Sequence, residues 1–302
     1  VPGDRPPGIP DYTLLIMLAL IWGGSFALIK LAVDTIPTLT MTAARLLLGA
    51  AVLTLVAIIA RQGLPLNRKL LFGIAAAGLF GNALPFSLIS WGEEVIDSGL
   101  AAILMAVMPL TTVLLAHLFT GDEKLNRRKL AGVALGLFGL VVLIDPDKLA
   151  TLGSETVRQL AVAAAALCYG INAIITKRLL FVPPLALAAA IVTASAIMLI
   201  PFAVMMDHPW TLQASQTSIW ATIVLGVLQT AIATLIMFAL ITRQGASFFA
   251  QINFLVPLAG VFCGVVFLAE RPTANAYLAL AVILTGIAIA RSGIGKLSRT
   301  AK

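Results

Sequence analysis

The sequence predicts an all-α polytopic membrane protein, with ten transmembrane helices arranged as two inverted five-helix repeats and both termini in the cytoplasm. Three observations predict this. The 302 residues are 60% hydrophobic and 11% charged, with a mean hydropathy of +1.05, too apolar for a polar coat of the kind a soluble domain carries. The charges divide the chain into apolar runs of about 20 residues, the helical length that crosses a hydrocarbon core of about 30 Å. Finally, an apolar segment with an internal proline and an acidic end, Pro109 to Glu123, returns as Pro257 to Glu270.

In chain order, residues 1–11 are rich in proline and glycine and lack an apolar core, so they read as a short disordered cytoplasmic tail and not as a signal peptide. Helices are expected at 12–33, 40–60, 69–91, 97–119 and 126–144, forming a first repeat over 12–144. An extracytoplasmic linker at 145–155 precedes a second repeat over 156–291, with helices at 156–179, 184–206, 217–241, 246–268 and 273–291. Residues 292–302 form a basic cytoplasmic tail. Backbone in lipid must satisfy its own hydrogen bonds, so these short connections imply a compact bundle.

The net charge of +7 sorts by side of the membrane. With the amino terminus inside, 15 of the 20 Lys and Arg residues fall on the cytoplasmic side, and Lys30, Arg45, Lys148, Arg158 and Arg271 fall at or near the outer ends. Topology therefore accounts for the basic excess, and no nucleic-acid partner is needed. Cys168 and Cys263 lie inside apolar runs and read as inert buried thiols.

The repeat has a fixed register. Trp22-Gly23, Lys30, Glu123 and Gly139 match Tyr169-Gly170, Lys177, Glu270 and Gly286 at a shift of 147, whereas Pro109 and Pro257 differ by 148. One extra residue before Asp122-Glu123 leaves open which of these acids matches Glu270. Because each unit has an odd number of helices, the second enters from the opposite side of the bilayer, as in the inverted repeats of secondary transporters.

The Trp22-Gly-Gly-Ser25 motif, Arg45, the segment ending Gly121-Asp-Glu123-Lys-Leu125, its counterpart Leu268-Ala-Glu270-Arg271 and the glycine-rich closing helices resemble the EamA-type branch of the drug/metabolite transporter superfamily. Within that branch the chain is similar to bacterial inner-membrane exporters of aromatic and other amino acids. The resemblance spans 12–291 and implies export of a small metabolite without ATP. It leaves no role for a cofactor and requires no oligomer; the partners it implies are an amino acid and the lipid bilayer.

The chemistry is expected from uncharged groups. All 13 carboxylates fall in tails, loops or helix ends, so no deep acid offers itself as a proton relay, and a facilitator or exchanger is favoured. His117, the one histidine inside a span, reads as packed or snorkelling. The repeat pairs Ser25 with Asn172, Asn82 with Gln229 and Met105 with Asn253. Singly, such groups serve as glue between helices; together they favour a shared polar lining at mid-depth. Trp22 and Ser25, Tyr169 and Asn172, and Asn82 and Phe86 each share a helix face, placing an aromatic plane beside a hydrogen-bonding group. That lining suits a zwitterion with an apolar side chain.

Pro85, Pro109 and Pro257 lack the N–H that would bond the carbonyls of Gly81, Met105 and Asn253, making them candidate hinges. Gly132, Gly136 and Gly139 read as a close-packing face, Lys30 and Arg45 as rim residues snorkelling to headgroups, and Glu123 and Glu270 as structural latches. Export or exchange of a sugar phosphate, nucleotide sugar or organic cation is the competing reading. Phosphate would need deep cations, and an intramembrane enzyme would need a nucleophile and base or a metal, neither of which is evident.

Overall fold

Long apolar runs without breakers fold as helices because each internal N–H then finds its carbonyl four residues back. In the computed structural model, which describes residues 6–63, 68–119, 126–144, 153–179 and 181–292, all regular structure is helical. Asp122 and Glu123 lie outside the described residues.

The helices are α1 (Ile9–Val33), α2 (Thr38–Ile59), α3 (Arg68–Glu93), α4 (Ser98–Phe119), α5 (Arg127–Ile144), α6 (Ser154–Lys177), α7 (Pro184–Asp207), α8 (Gln216–Ala246), α9 (Ile252–Leu268) and α10 (Ala274–Ser292). Among the described residues eight are long and apolar enough to cross a membrane, and α9 is a shorter apolar helix. The helix α5 is as apolar beyond its first turn, where Arg127, Arg128 and Lys129 stand. Large hydrophobic side chains such as Phe72, Phe202, Met205, Phe262 and Phe267 face outward, a surface suited to lipid and not to water.

The boundaries fall within three residues of those expected except at the junction of α8 and α9. There the helical path continues past 241 to a kink at Gly245, with φ 80° and ψ 168°, a conformation open to glycine alone. After a short turn α9 starts at Ile252. At the other extreme, α1 starts at Ile9, three residues early, because the fully buried Asp11 accepts from Arg243 Nε at 2.9 Å and Gln244 Nε2 at 2.8 Å. These bonds hold the start of α1 against the end of α8.

The main helix pairings join the first five helices to the last five. α5 packs along α10, α2 along α7, α1 along α9 and α8, and α6 against α3 and α4. Replacing each helix by its counterpart five places on returns the same set of pairs. Two of the pairs run antiparallel. Thr40 N–H donates to Asp207 at 2.7 Å and Leu185 N–H to Gln62 Oε1 at 3.1 Å, so each end of α2 meets the opposite end of α7. A Cβ on Gly286 would stand 2.7 Å from the Gly132 carbonyl oxygen, and one on Gly139 3.3 Å from that of Ala279. α5 and α10 thus touch backbone to backbone, which the absence of side chains permits. Equivalent contacts recur elsewhere, with Gly23 against Ala259 and Gly170 against Thr111.

One end of the bundle is densely tied. Lys30 Nζ donates to the carbonyls of Glu93 and Ile96 at 2.8 and 2.9 Å. Thr38 Oγ1 donates to Glu94 at 2.6 Å, and Arg158 bonds Glu94 at 2.7 Å and the Trp91 carbonyl. Thr35, Ser215 and Ser218 share hydroxyl bonds. Glu270 accepts from the first amides of α4, Ser98 N–H at 2.7 Å and Gly99 N–H at 2.8 Å. A carboxylate at a helix start satisfies amides with no intrahelical partner and complements the helix dipole. The latch role expected of Glu270 thus has a definite form, while that of Glu123 lies outside the described residues. Lys30 is not a headgroup-seeking rim residue, because the unpaired carbonyls closing α3 draw its ammonium inward.

Candidate functional site

Two helices widen into π-helical turns, and they do so at equivalent places. Residues Leu79–Ala83 of α3 and Leu225–Ile232 of α8 are π-helical, and the shift of 147 lays the first segment inside the second. In α3 the cause is Pro85, which cannot donate to the Gly81 carbonyl; the turn widens, and Leu84 N–H reaches back five residues to Leu79. In α8, Ala233 N–H bonds Leu228 and the Thr230 hydroxyl donates to the Leu225 carbonyl at 2.9 Å. Each widened turn carries an amide side chain, Asn82 or Gln229.

From these turns runs a line of side chains. The Asn172 amide lies directly on Gly81, where a Cβ would meet it at 2.8 Å. Asn82 Nδ2 donates to Ser195 Oγ at 3.2 Å, and Ser195 Oγ lies 3.0 Å from the Gly78 carbonyl. One turn beyond, the Phe86 ring carries the Arg45 guanidinium on its face, 3.9 Å from the centroid. Arg45 Nε donates to Thr230 Oγ1 at 3.1 Å. Next to Thr230, the Gln229 carbonyl accepts from Trp22 Nε1 at 3.3 Å, and the Trp22 carbonyl accepts from Ser25 Oγ at 2.6 Å. Gln229 Oε1 is buried with no hydrogen-bond partner.

The structure therefore joins Trp22, Ser25, Asn82, Phe86, Asn172 and Gln229 through α1, α2, α3, α6 and α8. Tyr169 and Met105 both pack on the same apolar core beside Phe26, and Tyr169 lies within electrostatic reach of Arg45. Asn253 stands apart. It is the second residue of α9, and its Nδ2 donates to the Ala250 carbonyl at 3.1 Å, which Arg291 also binds at 3.2 Å. Of the prolines expected as hinges, Pro85 widens α3, Pro109 follows a break at Ala106–Val107 in α4, and Pro257 sits inside α9.

Beside Lys30 and Asn253, Arg45 corrects the sequence reading and Glu93 extends it. Arg45 is 5% exposed and does not reach for headgroups, because Phe86 and Thr230 hold it inside the bundle. Its signal was depth, eight residues into α2 between Ala43, Ala44 and Gly49. Glu93 ends α3, as the sequence reading had it, but is fully buried, since α1, α2 and α6 close over that end. Thr230 and Ser195 carried no distinguishing sequence signal. Both cysteines are free and buried, as expected.

Outside the spanning segments, the Asp97 carboxyl in the turn before α4 is pushed up from the ordinary aspartate value. Partial burial is the main cause, with the like charge of Glu270 adding to it and Lys30 opposing. Among the described residues no group of His, Cys, Asp and Glu could hold a metal ion.

The profile of the EamA-like transporter family matches the chain twice, over residues 10–144 and 158–292. The chain is 28% identical over 278 residues to the uncharacterized transporter YoaV of Bacillus subtilis, covering 90% of this chain and 94% of that one. It is 28% identical over 292 residues to a probable amino-acid metabolite efflux pump of Escherichia coli, covering 92% and 94%. It is 27% identical over 277 residues to a probable terminal-alkyne amino-acid exporter of Streptantibioticus cattleyicolor, covering 90% of each. A crystal structure 22% identical to it shares the fold, with a TM-score of 0.65 over 96% of this chain and 100% of the other. With both halves matched and the outer surface apolar, this multi-pass transporter of the bacterial inner membrane belongs to the EamA-like transporter family.

Proposed function

We propose that the protein exports neutral amino acids, aromatic ones included, by alternating access of two inverted five-helix halves around the line of side chains from Asn172 to Trp22. The observation that carries this reading is the buried Arg45 guanidinium, which uses Nε on Thr230 and one face on Phe86, between the two π-helical turns. A guanidinium so held is pre-organised to bind a carboxylate with its terminal nitrogens. Trp22, Phe86 and Tyr169 supply apolar and π surface for a side chain or an ammonium group.

Asn82, Asn172, Gln229 and Ser25 supply short-range polarity. The hinges are Pro85, Pro109 and Pro257. A phosphate dianion favours two cations, and Lys30 is committed to two carbonyls, so one carboxylate fits better than a sugar phosphate.

The proposed topology has ten crossings and cytoplasmic termini. Its support is the asymmetry of Lys and Arg, the antiparallel contacts of α2 with α7 and α5 with α10, and the set of pairings that survives exchange of the halves. The tied end carrying Glu270 is then extracytoplasmic. The test is counterflow in liposomes, loading unlabelled compound and following uptake of labelled tryptophan, phenylalanine, leucine, threonine or a sugar phosphate. Exchange of neutral amino acids alone is expected. Exchange of the sugar phosphate without any amino acid would refute the reading.

A further inference from the structure

At the tied end one charged group on α3 is both enclosed and without a partner. Glu93 is fully buried, and neither carboxylate oxygen has a hydrogen-bond partner. Its neighbours are engaged elsewhere. Lys30 of α1 holds two carbonyls, Arg45 of α2 holds Thr230 and Phe86, and Glu270, after α9, holds the amides of Ser98 and Gly99. On α6, Arg158 is bound to Glu94 and the Trp91 carbonyl, and Tyr169 lies within electrostatic reach of Arg45. Asp97, in the turn from α3 to α4, is partly exposed and lies within electrostatic reach of Glu270 and Lys30. An ionised carboxylate enclosed without a donor loses its hydration with nothing in return, a cost that a neutral carboxyl largely avoids.

Around it the same end leaves other buried polar atoms unpaired: Thr42 Oγ1, Ser90 Oγ, Ser98 Oγ and Gln159 Oε1. These positions are at the start of α2, the end of α3 and the starts of α4 and α6, the helix ends that must separate for this side to open. Groups that lack partners when the end is closed regain them when water enters, so the closed arrangement is complete only if Glu93 keeps its proton.

We propose that Glu93 is a proton-binding site of the extracytoplasmic gate: closing the gate takes up one proton from the external medium onto the Glu93 carboxyl, and opening it releases that proton as the carboxylate becomes hydrated. The inference rests on the transport reading and its topology. Acid outside then favours the closed gate and alkaline conditions the open one, by mass action on the linked proton.

The test uses the full chain in inside-in vesicles, with Cys168 and Cys263 replaced by alanine and a reporter introduced by Ser90→Cys, one turn from Glu93. An impermeant maleimide is added outside, and labelling is normalised to a separate exposed reporter, Gln213→Cys, to remove the intrinsic pH dependence of thiols. Labelling is expected to fall by at least about tenfold from pH 8 to pH 6, a change that one linked proton can supply over a single pH unit. Glu93→Gln, which fixes the neutral form, should be slow to label at both pH values. Glu93→Asp should restore the pH dependence. Equal pH dependence in the wild type and Glu93→Gln overturns the proposal, as does pH-independent labelling of the wild type. Amino-acid counterflow on the same vesicles separates the two readings. Counterflow with a pH-independent gate refutes the proton site alone, and a proton-dependent gate without counterflow refutes the choice of substrate alone.

Discussion

In the proposed function Arg45 is the residue that takes the substrate carboxylate. Replacing it by lysine keeps the charge but loses the planar face on Phe86 and the fixed Nε bond to Thr230. A charge-assisted hydrogen bond is worth about 1.5 to 3 kcal/mol, so Arg45→Lys is expected to raise the KM for counterflow by about 10- to 100-fold in protein that still elutes as a folded monodisperse peak. Asp97 gives a second expectation. Its titration is raised, so the folded protein carries a penalty while Asp97 is ionised, and that penalty fades as pH falls through the folded-state value. Asp97→Asn should therefore raise the melting temperature at pH 7.5, and the gain should shrink toward pH 4.5. The direction Arg45 takes was not legible in the sequence, because Thr230 lies 185 residues away and no local spacing announces it. Asn253 was misplaced for a complementary reason: the sequence put it at mid-depth, but the glycine kink at 245 delays the start of α9 and leaves it in the first turn.

Among the elements, the proposed function gives the matched π-helical turns of α3 and α8 the amides that line the transport path. Asn82→Leu and Gln229→Leu should each lower the counterflow rate without loss of folded protein; unchanged rates in both would leave these amides as glue between helices. Gly286→Leu is a contrasting case, because its side chain would occupy the Gly132 backbone. The expected result is loss of the monodisperse peak, measured by fluorescence-detected size exclusion.

The apolar runs and their ends were legible because hydropathy and charge placement are local properties. The widened turns were only half legible. Pro85 marks the first, whereas α8 reaches the same geometry without a proline, through Thr230 closing on Leu225.

For the whole molecule, the repeat could be read from spacing alone, because counterparts recur at 147 or 148 positions. What spacing could not show was which helices touch. The proposed topology predicts that reporters fused to either terminus remain protected from external protease in intact cells, whereas a cleavage site inserted at Gln213 is cut.

The pairings themselves reach further. α5 lies along α10, α2 along α7, and α1 along α9, so each half covers the other's apolar faces. Neither half is a domain in the sense of a unit that buries its own core. A chain cut between 145 and 152 should give two fragments that are each degraded when made alone yet assemble into an active carrier when made together. Each half is, in effect, the other's folding partner.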